Sequence, residues 1–218
     1  MKFDLHIHSA YSDDSDITPE EIIKTAENIG LDGIAFLDHN SLEGYFKSKD
    51  LDTDLIIIPA MEVSTRDGHI MALGVQEEIE DRLSIEETTE RIREIGGLSI
   101  AVHPNRLLSG LGEKKVRDND WDAIEGFNSR SWAWKNEKAQ KLADDMGLPV
   151  TGGSDAHRLK TIGKAFTFFE NVGNWEDAIE EIERGNTDVG GESRTLSQNL
   201  FYVKRTFSRW VKRGFRRI

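Results

Sequence analysis

The sequence predicts an α/β fold, and three observations predict it. Short β-branched apolar runs alternate with amphipathic stretches along the whole chain. The amphipathic stretches carry their own start and stop signals. The residues that follow the apolar runs are imidazoles and carboxylates, as expected where strand ends gather around one site. Such strand–helix units pair in parallel, and about seven strands with helices between them suit a barrel better than an open sheet.

The elements follow in order. Residues 2–7 read as a strand. A helix over residues 19–29 comes next, with Thr18 as N-cap, Pro19 at the first helical position, Glu21 as the capping-box partner and Gly30 as the stop. Residues 33–37 and 55–61 are strands, the latter too short and too β-branched for a helix. Residues 69–75 form a further strand. Ser84 opens a helix with Glu87 three residues on, and Gly96-Gly97 close it. Strands at 98–102, 123–127 and 148–151 continue the series. A helix over 133–146, stopped by Gly147, precedes the last of these. A strand at 166–169 and a helix at 175–183 complete the body.

The chain has 218 residues, a net charge of −12 and no cysteine, which removes thiol nucleophiles, cysteine zinc sites and disulfide scaffolds from consideration. Nothing near the start has the pattern of a signal peptide, and the longest apolar run is far shorter than a membrane span. A soluble, cytoplasmic protein is the expectation. Acidity disfavours generic nucleic-acid coating, although bound cations can reverse the local field. Lys204, Arg205, Arg209, Lys212, Arg213, Arg216 and Arg217 run against this balance, with Leu200, Val203, Phe207, Trp210, Val211 and Phe215 at helical spacing among them. Two units are therefore expected: a body over residues 1–192 and a basic amphipathic helical segment over 193–218. The segment either packs on the body or contacts nucleic acid, an acidic partner or a membrane surface. The tryptophans, Trp132 and Trp134 among them, read as packing residues.

The six histidines carry the strongest signal. His6 and His8 lie two apart at the end of the first strand, so both rings face one side while Leu5 and Ile7 pack the other way. Asp38-His39, Glu62, His103 and Asp155-Ala156-His157 each follow an apolar run. In a parallel barrel those ends open on one rim. His69 stands at the start of a strand, and Asp13 shares an acidic loop with Asp14 and Asp16. Imidazoles and carboxylates without sulfur suit Zn²⁺, Mn²⁺ or Fe²⁺, and nine candidates are enough for two to three ions. Clustered ions would generate hydroxide and polarise an anionic substrate, for which phosphate esters are natural. Arg106, Arg130 and Arg158 lie just beyond strand ends, where a guanidinium fork could clamp phosphate.

These residues resemble the PHP (polymerase and histidinol phosphatase) superfamily. The likeness rests on His6-x-His8, Tyr11-Ser12-Asp13, Asp38-His39, Glu62 with His69, His103-Pro104 and Gly153-Ser154-Asp155-Ala156-His157. It implies a distorted seven-stranded (β/α)7 TIM-like barrel and a trinuclear metal centre. By the resemblance, His6, His8, Glu62 and Asp155 hold the first ion. Glu62 bridges to a second, shared with His69 and His103, and Asp13, His39 and His157 form the third set. Asp38 orients an imidazole or caps a turn. The expected function is a metal-dependent phosphoesterase that hydrolyses phosphate monoesters, a nucleotide or a similar small phosphorylated molecule, by attack of a metal-bridging hydroxide. The alternatives are an exonuclease acting on short oligonucleotide ends and a non-catalytic metal-binding module with a basic tail.

Overall fold

A computed structural model describes residues 1–107 and 109–193; the basic segment expected over 193–218 lies, beyond Ser193, outside the described residues. The elements run β1 (Lys2–Ile7), α1 (Pro19–Asn28), β2 (Gly33–Phe36), β3 (Asp38–His39), α2 (Glu43–Ser48), β4 (Ile56–Ile58), β5 (Ala60–Ser64), β6 (His69–Leu73) and α3 (Ile85–Glu94). They continue with β7 (Leu98–Ala101), α4 (Glu113–Arg117), β8 (Ala123–Asn128), α5 (Ala133–Met146), β9 (Val150–Gly153), a 3-10 turn at Leu159–Thr161, β10 (Ala165–Phe168), α6 (Trp175–Glu183) and β11 (Asp188–Gly191). The local chemistry behaves as the sequence predicts. Thr18 and Ser84 both form reciprocal capping boxes, with Glu21 and Glu87, and Gly147 ends α5 in the left-handed conformation.

The strands form a five-stranded sheet in the order β11-β10-β1-β2-β4 and a six-stranded sheet in the order β3-β5-β6-β7-β8-β9. The chain changes sheets at every step from β2 to β5, and again between β9 and β10. The expected strand 55–61 therefore breaks at Pro59, which has no N–H to continue a ladder. A parallel bridge between Ile7 and Ala156 sets the end of β1 beside the end of β9. The result is a mixed α/β fold whose sheet curls into a half-barrel.

Pairing is not parallel throughout, as the alternation predicted. β6 runs antiparallel to β5 and β7, and β10 runs antiparallel to β1 and β11. For β5 and β6 the reason is the length of their connection. Thr65, Arg66, Asp67 and Gly68 can close a hairpin but cannot carry a parallel crossover. Thr65 Oγ1 accepts the N–H groups of Asp67 and Gly68 at 3.1 Å each, closing the turn.

Inside the curl Phe3, Leu5, Leu37, Ile58, Met71, Leu73, Ile100 and Val102 form an apolar plug, covered at one end by Ile179 and Ile182 of α6. Each such side chain, fully buried, contributes roughly 1.5–3 kcal/mol. On the outside, Ile7, Ile34 and Phe36 pack with Ile22, Ile23 and Ala26 of α1. Leu5 and Ile7 thus do not share a face, contrary to the regular alternation assumed for β1. The register of β1 against β2 shifts between Asp4 and Ile7. This irregularity puts Leu5 in the plug and turns both His6 and His8 inward directly above it. No helix among the described residues is long and apolar enough to cross a membrane.

Candidate metal centre

The plug ends where the polar residues begin. His6 is the penultimate residue of β1 and His8 follows the strand, Glu62 sits in the middle of β5, and His103 and Asp155 follow β7 and β9. His39 ends β3, at the switch between sheets. His69 starts its strand, yet reaches the same rim because β6 is antiparallel: the beginning of an antiparallel strand lies where its parallel neighbours end. Its partner across the ladder is Ser64.

Glu62 is the hub. One oxygen, Oε1, lies 3.0 Å from a ring nitrogen of His69 and 3.0 Å from Nε2 of His103. The other, Oε2, lies 3.3 Å from His39 Nδ1, 3.5 Å from His8 Nε2 and 3.8 Å from His6 Nε2. Burial pushes the Glu62 carboxyl up, but the imidazoles of His69 and His39 outweigh it and hold it well below the usual carboxylate range. Burial lowers His8, His39 and His103, the last to about 4, so these rings are held neutral with lone pairs to offer. His6 is the exception: burial works against its charge, but Glu125 and Asp155 raise it well above the ordinary value.

Asp155 lies between the two arginines nearest the rim. Its Oδ2 accepts from Arg106 Nη2 and its Oδ1 from Arg130 Nη1. Arg130 Nη1 also lies 3.0 Å from His157 Nδ1. Burial pushes the Asp155 carboxyl up, and the two guanidinium groups override that and hold it well below its ordinary range. Two of the three arginines read from the sequence thus converge on one carboxylate. Arg158 is half-buried after His157, and its carbonyl accepts from Thr161 at 2.8 Å.

Of the nine candidate ligands, eight are brought together and Asp13 is not. Asp13 is exposed, whereas its neighbour Asp14 is half-buried and places Oδ2 2.6 Å from His157 Nε2. Burial raises the Asp14 carboxyl, and His157 more than reverses this, holding it well below the ordinary range. The correction is one of turn geometry: Ser12 is turned inward, with Oγ accepting from His39 N at 2.9 Å and lying 3.1 Å from His8 Nδ1, and the chain then presents Asp14 to the site. Asp38 orients no imidazole. Its carboxylate accepts both the N–H and the hydroxyl of Ser9, each at 2.6 Å, and so fixes the loop that carries Ser12. Trp134 is exposed rather than packed.

The donor set fits divalent cations. Four groups of three ligand atoms fall within 4.8 Å of one another: His6, Glu62 and His103; His6, His8 and Asp155; His8, Asp14 and His157; and His8, His39 and Glu62. His6 Nε2 and His8 Nε2 stand 3.2 Å apart, an arrangement of lone pairs that a shared cation satisfies. Sequence reading missed Glu125, a buried carboxylate 2.7 Å from His6 Nδ1, and Asn128 beside it.

The comparisons agree with this geometry. The PHP domain matches residues 4–108, and the PHP-associated domain matches residues 133–187. An uncharacterised protein of Methanocaldococcus jannaschii is 37% identical over 142 residues, covering 59% of this chain and 82% of that one. The chain belongs to the PHP family. A phosphoribosyl 1,2-cyclic phosphate 1,2-diphosphodiesterase of Eggerthella lenta is 35% identical over 82 residues, 34% of this chain and 31% of its own. The crystal structure of a two-domain Bacteroides vulgatus protein containing a predicted PHP-like metal-dependent phosphoesterase superposes with a TM-score of 0.69 at 18% identity. It matches 88% of this chain, and this chain spans 65% of that protein.

Proposed function

We propose that this chain is a metal-dependent phosphoesterase that hydrolyses phosphate monoesters of a nucleotide or a similar small molecule. The observation that carries this reading is the meeting at one rim of nine metal-type ligands, Asp14 among them, with two arginines. In this reading His6, His8 and Asp155 hold one ion, Glu62 with His69 and His103 a second, and Asp14, His39 and His157 a third, with Glu62 shared. When bound, such ions supply Lewis acidity and lower the pKa of water. Zn²⁺, Mn²⁺ and Fe²⁺ all suit the nitrogen and oxygen donors.

The protein's own groups do the rest. Arg106 and Arg130 approach from one side and bind phosphate oxygens, as guanidinium forks do. Where Asp155 would hold an ion, the charge of both guanidinium groups would be left to the substrate. The low exposure of the cluster limits competing water, so each of these charges acts at greater strength than at the surface.

The test is phosphate release by protein reloaded with each metal, over a panel of phosphomonoesters, a cyclic phosphodiester and a short RNA. Turnover of a monoester that disappears in Asp155→Ala supports the reading. Turnover confined to the diester or the RNA replaces monoester with diester hydrolysis, a reaction of the class named for the Eggerthella lenta relative. Bound ions without turnover of any ester refute it.

A further inference from the structure

We propose that Glu125 and Asn128 form a buried positioning pair that sets the tautomer of His6, holds the backbone of His103 and aligns Arg106 with Asp155. The inference rests on the reading of the rim as a metal centre and adds two residues that hold no ion themselves.

Glu125 Oε1 lies 2.7 Å from His6 Nδ1. A carboxylate oxygen facing Nδ1 accepts from it, so when Nε2 gives its lone pair to an ion the ring's remaining proton sits on Nδ1. That lone pair faces His8 Nε2, Glu62 and Asp155, where the ligand atoms converge. The other oxygen of Glu125 accepts the backbone N–H of His103 at 2.7 Å. His103 has φ of 31°, on the positive side that few non-glycine residues occupy. One carboxylate therefore restrains ligands from two strands.

Asn128 extends the arrangement. Its Nδ2 donates to Glu125 Oε2 at 3.0 Å and to Asp155 Oδ2 at 3.2 Å. Its Oδ1 accepts from Arg106 Nη2 at 3.1 Å and from the N–H of Arg130 at 2.9 Å. With donors on one side and acceptors on the other, the amide has one orientation. Asn136 of α5 locks the strand end, accepting the Asn128 N–H and donating to its carbonyl, each at 3.2 Å.

Residues three apart on a regular strand face opposite ways. The register of β8 against β9 slips between Glu125 and Phe127, and this irregularity brings both side chains to the inner face.

The experiment has two arms. In ¹⁵N-labelled wild type loaded with Zn²⁺, long-range ¹H–¹⁵N correlations of the histidine rings should show His6 protonated at Nδ1 and metal-bound at Nε2. Titration of Zn²⁺ into metal-free protein should show Glu125→Gln and Asn128→Ala each losing about 10–100-fold in affinity for one ion, with the remaining ions bound as in wild type. Affinities within twofold of wild type for every ion, or His6 ligating through Nδ1, overturn the inference while leaving the metal centre intact. A wild type that binds no divalent ion overturns both. Should Glu125→Gln fail to fold, the wild-type tautomer decides the matter alone.

Discussion

The pairing of Asp155 with Arg106 and Arg130 can be tested without substrate or metal. The Asp155 side chain is 1% exposed, and each of its oxygens accepts from a different guanidinium. Truncation in Asp155→Ala leaves two like charges facing each other, with Arg130 only 9% exposed. Removing one partner of a buried pair costs about 3–5 kcal/mol. In a chain of this size 1 kcal/mol moves the melting midpoint by about 2–4 °C, so in chelator the midpoint should fall by roughly 6–20 °C. Adding Arg130→Met removes one stranded cation and should recover about half of that loss. The four proteins form a double-mutant cycle at pH 7, read by calorimetry or urea denaturation. The Asp155 carboxyl is held well below its ordinary range in the folded state. Its contribution is therefore complete above the ordinary carboxylate range and disappears only as pH falls through that lowered folded value. A midpoint for Asp155→Ala within about 2 °C of wild type, or additive effects around the cycle, would falsify the buried pairing described above.

Three further outcomes follow from other positions. A Cβ at Gly153 would lie 2.3 Å from His6 Cβ, so Gly153→Ala should cost about 1–3 kcal/mol by overpacking and weaken ion binding, measured by urea denaturation and zinc titration. Asp14→Asn should reduce the number of ions bound per chain while Asp13→Asn leaves it unchanged, a contrast that elemental analysis of dialysed protein reads directly. Burial raises Asp38 to about 6 from 3.8, so the folded protein keeps a proton there that the unfolded chain releases as pH rises from about 4 to 6. Relative to Asp38→Asn, wild type should therefore lose up to about 3 kcal/mol of stability over that window. Urea midpoints of both proteins at pH 4 and 7 give the difference, and a constant gap contradicts the shift.

The parts of the fold and site legible in the sequence are those fixed by local chemistry. Capping boxes at Thr18 and Ser84 are complete within four residues, so both helices start where the pattern says. His6, His8, His39, His103 and Asp155 could be found because a strand end is a local event and their chemistry is rare elsewhere. What escaped depends on contacts made at a distance or on slips in register. Asp67-Gly68 marks a turn, but only the pairing of Ser64 with His69 reveals a hairpin and reverses β6. Asp13 and Asp14 are indistinguishable by composition, and the choice between them is made by Ser12 packing against His8 and His39. Glu125 and Asn128 look like opposite faces of a strand until the slip in β8 is known. Glu125 also carried no motif, since a lone glutamate among 40 acidic residues is invisible without its partner.

The repeated passage of the chain between its two sheets has a mechanical consequence. His6 belongs to the five-stranded sheet, while Glu62 and His69 stand on the six-stranded one and His103 follows one of its strands. Any cation gripped by His6 together with Glu62 is therefore a rivet through the seam between them. An ion held there would oppose any separation of β1 from β5.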